Sequence, residues 1–136
     1  MVSNNIFVDT SWFKAFADPN DDFHQKALQQ LQNLPTSVNF ITTNFILDET
    51  LTLIRVRVDL ASALDFGTLL TKSGIILKVI RVLAKDEKFA WDWFPKNWSK
   101  LSFTDCTSFA VMQRLDLKDV ATFDDHFSRA GFHMLS

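Results

Sequence analysis

The sequence predicts an α/β fold: three layers, with a mostly parallel central sheet of four to five strands flanked by helices. Short runs of apolar or β-branched residues, of the length used by buried strands, recur at 5–8, 38–42, 75–80 and 119–123. Between them, apolar residues fall at the three- and four-residue spacing of helices, so strand and helix alternate along the chain. Of the 136 residues, 47% are hydrophobic and 22% charged, a globular composition; with no repeat or linker, this predicts one domain over 1–136.

The first strand, Asn5-Ile6-Phe7-Val8, ends at Asp9-Thr10-Ser11, where a helix carrying Trp12, Phe13 and Phe16 begins. Asp18-Pro19 offers a cap and a first-turn proline for the next helix, which bears Phe23, Ala27, Leu28, Leu31 and Leu34 and stops at Pro35. After the second strand, Thr43 caps a helix containing Phe45, Ile46, Leu47, Leu51 and Ile54, with Glu49 in its second turn. A helix over 59–73 is apolar around more than half its circumference and reaches a Gly74 cap, so its face is either deeply buried or shared with a partner. The third strand follows, then a helix from about Asp86 with Phe89, Ala90, Trp93 and Phe94. Thr104 or Asp105 can cap a helix that runs through Phe109, Ala110, Met112 and Leu115 towards Lys118. The tail at Phe132-His133-Met134 can add an edge strand.

Ligands of parallel α/β sheets bind beyond the carboxyl ends of the strands. Asp9 ends the first strand, and Glu49 leans back towards the end of the second, because helical side chains point to the N-terminus. Asp105 starts an outward helix and Asp124, nineteen residues later, ends the returning strand, so both belong at that same edge. Singly, each aspartate reads as a helix cap. Glu49 has less structural excuse, because Arg55 and Arg57 stand at the wrong spacing to pair with it. Gathered carboxylates repel, so four of them in one pocket call for a counter-ion. Oxygen-only ligands suit Mg²⁺ or Mn²⁺, and such a centre predicts metal-assisted hydrolysis of a phosphodiester.

Val8-Asp9-Thr10-Ser11, Leu47-Asp48-Glu49-Thr50, Ser102-Phe103-Thr104-Asp105-Cys106 and Thr122-Phe123-Asp124-Asp125-His126-Phe127 resemble, in order and spacing, the successive motifs of PIN-domain nucleases. The VapC-type toxins of toxin–antitoxin pairs are the nearest likeness, and the resemblance covers nearly the whole chain. It implies a divalent-metal-dependent endoribonuclease with an RNA substrate, a small protein antitoxin as partner, and frequent homodimers. By matching position, Asp9, Glu49 and Asp105 fall on the family's metal-binding acids and Asp124 on its fourth, more variable one. Asp125 could substitute for Asp124, and Asp48 stands beside Glu49. One of the hydroxyls of Thr10, Ser11, Thr104 or Ser108 is expected to assist.

Other function classes fare less well. A non-catalytic PIN-like module that binds RNA or protein would not need intact acids. Phosphoryl transfer through Asp9 would want a second aspartate where Ser11 stands. His24, His126 and His133 lack zinc-ligand spacing and read as surface or packing residues, although His126 is close enough to Asp124 to touch substrate. Cys106 reads as a small core residue. Trp93 belongs to an apolar stripe with Phe89, and Trp91 falls off it towards solvent. Lys78, Arg81, Lys85, Lys88, Arg55 and Arg57, with Lys72, are possible phosphate contacts. The net charge of −2 decides little, since sequestering four acids would leave +2. No apolar run reaches the roughly 18 residues of a membrane span, and the start lacks the basic and apolar segments of a signal peptide. With a single cysteine, these features predict a cytoplasmic protein.

Overall fold

The computed structural model describes residues 4–72 and 77–136. The chain runs β1 (Asn5–Val8), α1 (Thr10–Ala17), α2 (His24–Asn33), β2 (Asn39–Thr43), α3 (Asn44–Arg57) and α4 (Leu60–Lys72). It continues with β3 (Leu77–Ile80), α5 (Ala84–Trp93), α6 (Phe103–Arg114), β4 (Asp119–Ala121), α7 (His126–Arg129) and β5 (His133–Met134). The five strands form one sheet in the order β3-β2-β1-β4-β5, and every neighbouring pair is parallel. The expected mostly parallel sheet is therefore parallel throughout, and the tail does supply its edge strand.

The strand order explains the layers. From β1 the chain steps outward to β2 and β3, then returns to the other side of β1 for β4 and β5. Parallel crossovers are right-handed, so the reversal sends the later helices to the opposite face. Packing follows suit: α1 to α4 pack among themselves, as do α5 to α7. Side chains alternate along β1 accordingly. Val8 faces the cavity lined by Trp12, Phe13, Phe40 and Phe66, and Phe7 meets Phe127 of α7 on the other side. Phe109 of α6 is fully buried and packs against Trp93, Phe127 and Phe132. No helix among the described residues is long and apolar enough to cross a membrane.

Several boundaries differ from expectation for local reasons. Helix α2 begins at His24, because Asp18 and Asp21 spend their carboxylates on the Asn20 and Phe23 amides and turn the chain first. Helix α6 begins at Phe103, where Ser102 caps and Asp105 answers as its third helical residue: Asp105 N–H donates to Ser102 Oγ, and Ser102 N–H donates to Asp105 Oδ2. Neither Thr104 nor Asp105 is the cap. Helix α5 starts at Ala84, and Asp86 accepts the Leu83 amide there. Phe89 is exposed, whereas Trp93 packs on Phe109. Thr43 caps α3 as expected, accepting the Ile46 N–H at 3.1 Å. On α4, Ala63 and Phe66 are buried, and Leu60 and Leu64 are exposed. The expected Gly74 cap and the start of the third strand lie outside the described residues.

Candidate active site

Where strand order reverses, between β1 and β4, the helices diverge and leave a crevice at the carboxyl edge of the sheet. Register sets its contents. Val8 pairs with Ala121, so the next residues, Asp9 and Thr122, lie side by side. Asp9 N–H donates to the Ala121 carbonyl at 3.1 Å, and Thr122 Oγ1 donates to Asp9 Oδ2 at 2.9 Å. Asp9 caps α1 at the same time, so the ligand and cap readings of this residue are compatible. Asp9, Glu49, Asp105 and Asp124 all line this one pocket. They come from the end of β1, the second turn of α3, the first turn of α6 and the loop after β4.

Two hydroxyls hold the pocket together. Ser11 Oγ donates to Asp9 Oδ2 at 2.9 Å, beside the Thr122 hydroxyl bound to the same oxygen. Each hydroxyl oxygen then accepts a backbone amide, Phe123 N–H on Ser11 and Asp124 N–H on Thr122, both at 3.0 Å. The loop carrying Asp124 is thereby tied to Asp9. Of the four hydroxyls expected to assist, Ser11 alone reaches an acid. Thr10 Oγ1 is buried with no hydrogen-bond partner, Ser108 Oγ donates to the Thr104 carbonyl within its own helix, and the Thr104 side chain faces a neighbouring groove. Thr122 was not among the expected four. Its signal was the β4 register, which could not be read before the strand pairing was known. Asp125 is exposed and lines no part of the pocket, and Asp48 sits in the groove beside Thr104.

The charge distribution is unfavourable on its own. Burial raises the Asp9 carboxyl to about 6; the Asp124 charge adds to this, and hydrogen bonds from Thr122 and Ser11 oppose it. Asp105 is pushed to about 7 by burial first, then by the charges of Asp9 and Asp124, against the Ser102 hydrogen bonds. Ligand atoms of Asp105, Asp124 and His126 lie within 4.8 Å of one another, close enough to share one ion. The buried carboxylates of Asp9 and Asp105, each repelled by the charge of Asp124, supply oxygen donors that suit a hard divalent cation.

Basic and aromatic groups complete the rim. Lys14 and Lys100 line the pocket, whereas Arg55, Arg57, Lys78, Arg81, Lys85 and Lys88 do not. Lys14 is held by Asp18 and Asp21 at 3.0 and 2.9 Å, while Lys100 has no ion pair among the described residues. Phe23 stacks on Phe123 with ring centroids 4.5 Å apart and planes within 8°, and Phe23 is 47% exposed. Cys106 is fully buried and its thiol is raised to about 11 by burial, then by the Asp105 charge, which rules out a thiolate nucleophile near neutral pH.

A five-stranded parallel sheet with acids from four segments at its switch point defines a class, and sequence comparison agrees with it. Residues 6–133 match the PIN domain family. The chain belongs to the PIN-domain family, in its VapC-type branch. It is 34% identical over 128 residues to the 23S rRNA-specific endonuclease VapC20 of Mycobacterium tuberculosis (strain H37Rv), covering 93% of this chain and 95% of that one. The crystal structure of M. tuberculosis VapC20, described as a Sarcin-Ricin loop cleaving toxin, superposes with a TM-score of 0.82 at 33% identity, covering 93% of this chain and 95% of that one. FitAcB from Neisseria gonorrhoeae superposes with a TM-score of 0.65 at 16% identity, covering 96% of each chain, and supports the fold alone.

Proposed function

We propose that this protein is a divalent-cation-dependent endoribonuclease, the toxin of a toxin–antitoxin pair, acting in the cytoplasm as a single PIN domain. The observation that carries this reading is the meeting of Asp9, Glu49, Asp105 and Asp124 in one pocket, two of them held well above the ordinary carboxylate range. These four acids would hold Mg²⁺ or Mn²⁺. When bound, the cation supplies Lewis-acid stabilisation of the charge that develops on the scissile phosphate and lowers the pKa of water. Ser11 and Thr122 keep Asp9 and the Asp124 loop in register. Lys100, at the rim and without an ion pair among the described residues, draws the phosphate backbone to the acids, and the Phe23–Phe123 stack offers an unpaired base a flat apolar surface. Asp125 is exposed and reads as solvent-facing, so Asp124 is the fourth acid. Apolar side chains left exposed on α3, α4 and α5, among them Val56, Leu64 and Trp91, support a surface for a small antitoxin or a second copy of the chain.

The test is cleavage of ribosomes and of a total-RNA pool with Mn²⁺, with chelator and Asp9→Asn as controls; the similarity to VapC20 makes ribosomal RNA the first substrate to try. Loss of a ligand acid should cost about 10²-fold or more in rate, since even outer partners of metal ligands are worth 10–100-fold. Cuts that survive both chelator and Asp9→Asn would refute the proposal. RNA binding without cleavage under any cation would select a non-catalytic module instead.

A further inference from the structure

We propose that His126 supplies a nitrogen ligand, through Nδ1, to a cation held by Asp105 and Asp124, which biases the site towards Mn²⁺ and Co²⁺ over Mg²⁺. This inference rests on the reading of the pocket as a cation site and deepens it.

The imidazole tautomer follows from hydrogen bonding. His126 Nε2 lies 2.8 Å from the Ser99 carbonyl oxygen, which can only accept, so Nε2 carries the hydrogen. When the ring is neutral, its lone pair is therefore at Nδ1. That atom is buried and has no hydrogen-bond partner, and the side chain as a whole is only 13% exposed. An orphaned buried ring nitrogen costs free energy unless something satisfies it.

Nδ1 faces two carboxylate oxygens, Asp124 Oδ1 at 2.9 Å and Asp105 Oδ2 at 3.6 Å. Asp124 Oδ1 already accepts the His126 backbone N–H at 2.9 Å, and the ring nitrogen is not aimed at it as a hydrogen-bond donor would be. One ring nitrogen and two carboxylate oxygens thus gather within 4.8 Å of one another, the Asp105 oxygen also accepting the Ser102 N–H. Two ligands at right angles on an ion with bonds of about 2.1 Å stand about 3.0 Å apart, close to the Nδ1–Oδ1 separation. The carbonyl behind Nε2 is the second partner that ligating histidines ordinarily have, fixing both tautomer and ring direction. Trp98 lies parallel to the ring within 8°, at 6.1 Å between centroids, and limits its rotation. Magnesium favours oxygen-only surroundings, whereas later first-row ions gain from imidazole, so the nitrogen tilts selectivity away from Mg²⁺.

The experiment is pulsed electron paramagnetic resonance on the full chain, stripped with chelator and loaded with Mn²⁺. Wild type should give ¹⁴N modulation that changes to the ¹⁵N pattern when histidine is labelled. His126→Gln should bind Mn²⁺ at least about 10-fold more weakly, with a smaller loss for Mg²⁺, and without histidine nitrogen coupling. Bound Mn²⁺ with no histidine coupling in wild type, or coupling that persists in His126→Gln, would overturn the assignment while leaving the acidic site intact. Failure of wild type to bind Mn²⁺ at all would remove the cation site and this ligand together. The labelled wild type decides the matter even if the variant folds poorly.

Discussion

Asp9 and Asp105 give the molecule a pH dependence near neutrality. Burial and neighbouring charge hold them at about 6 and about 7, above their ordinary value of 3.8, so the folded chain binds these protons more tightly than the unfolded one. Their contribution to stability is full below about pH 4 and is lost as pH rises through 6 and 7. In chelator, melting temperature should therefore fall across that window. Addition of Mn²⁺ should raise it more at pH 7.5 than at pH 5, because protons compete for the same oxygens. Equal shifts at the two values would mean that the ion binds elsewhere. Asp105→Asn keeps an acceptor for the Ser102 amide and removes the repelled charge. In chelator at pH 7.5 it should be more stable than wild type by about 1–3 kcal/mol, roughly 3–10 °C. Thermal melts of the two proteins decide this, and a less stable variant would count against repulsion as the dominant effect. That Asp9, Glu49, Asp105 and Asp124 share one pocket was legible in sequence because each sits at a strand end, just after one or in an early helical turn. The placing of Thr122, Lys100 and His126 beside them was not, since it depends on which loops meet across the sheet reversal.

At the scale of elements, α5 and α6 are joined by the Arg114–Asp86 ion pair and by two aromatic groups, Trp91 and Phe94 against Phe103 and a larger cluster around Phe109 that includes Trp93. Arg114 donates to both Asp86 oxygens at 2.9 Å, and Asp86 is 1% exposed. Burial alone would raise the Asp86 carboxyl, but the Arg114 hydrogen bonds and charge hold it below the usual range. Arg114→Met leaves that carboxylate buried without its cation and should cost about 3 kcal/mol in urea unfolding, while Arg114→Lys should recover part of the loss. A change below about 0.5 kcal/mol would show that the pair contributes little. Phe109→Ala, at the centre of the larger cluster, should cost about 3–5 kcal/mol by the same measurement. The helix start at Ser102 escaped sequence reading because the chain there offers Ser102, Thr104 and Asp105 as rival caps. Only the reciprocal bonds between Ser102 and Asp105 decide among them. That choice matters for the site, since it sets Asp105 in the first turn of α6 with its carboxylate in the pocket beside Asp9.

The whole molecule brings distant acids together through topology. Strand order β3-β2-β1-β4-β5 places the ends of β1 and β4 side by side, and the helices on both faces supply Glu49 and Asp105 from opposite layers. The alternation of strand and helix was legible because parallel strands must be apolar on both faces. The strand order was not, because several parallel orders share that pattern. Whether this arrangement holds a divalent cation is decided by calorimetric titration of Mn²⁺ into the chelator-stripped chain at pH 7.5. Wild type should bind saturably, with affinity weakened at least about 10-fold by Asp105→Asn and by Asp9→Asn. Undetectable binding in wild type, or equal affinity in all three proteins, would contradict a cation site there.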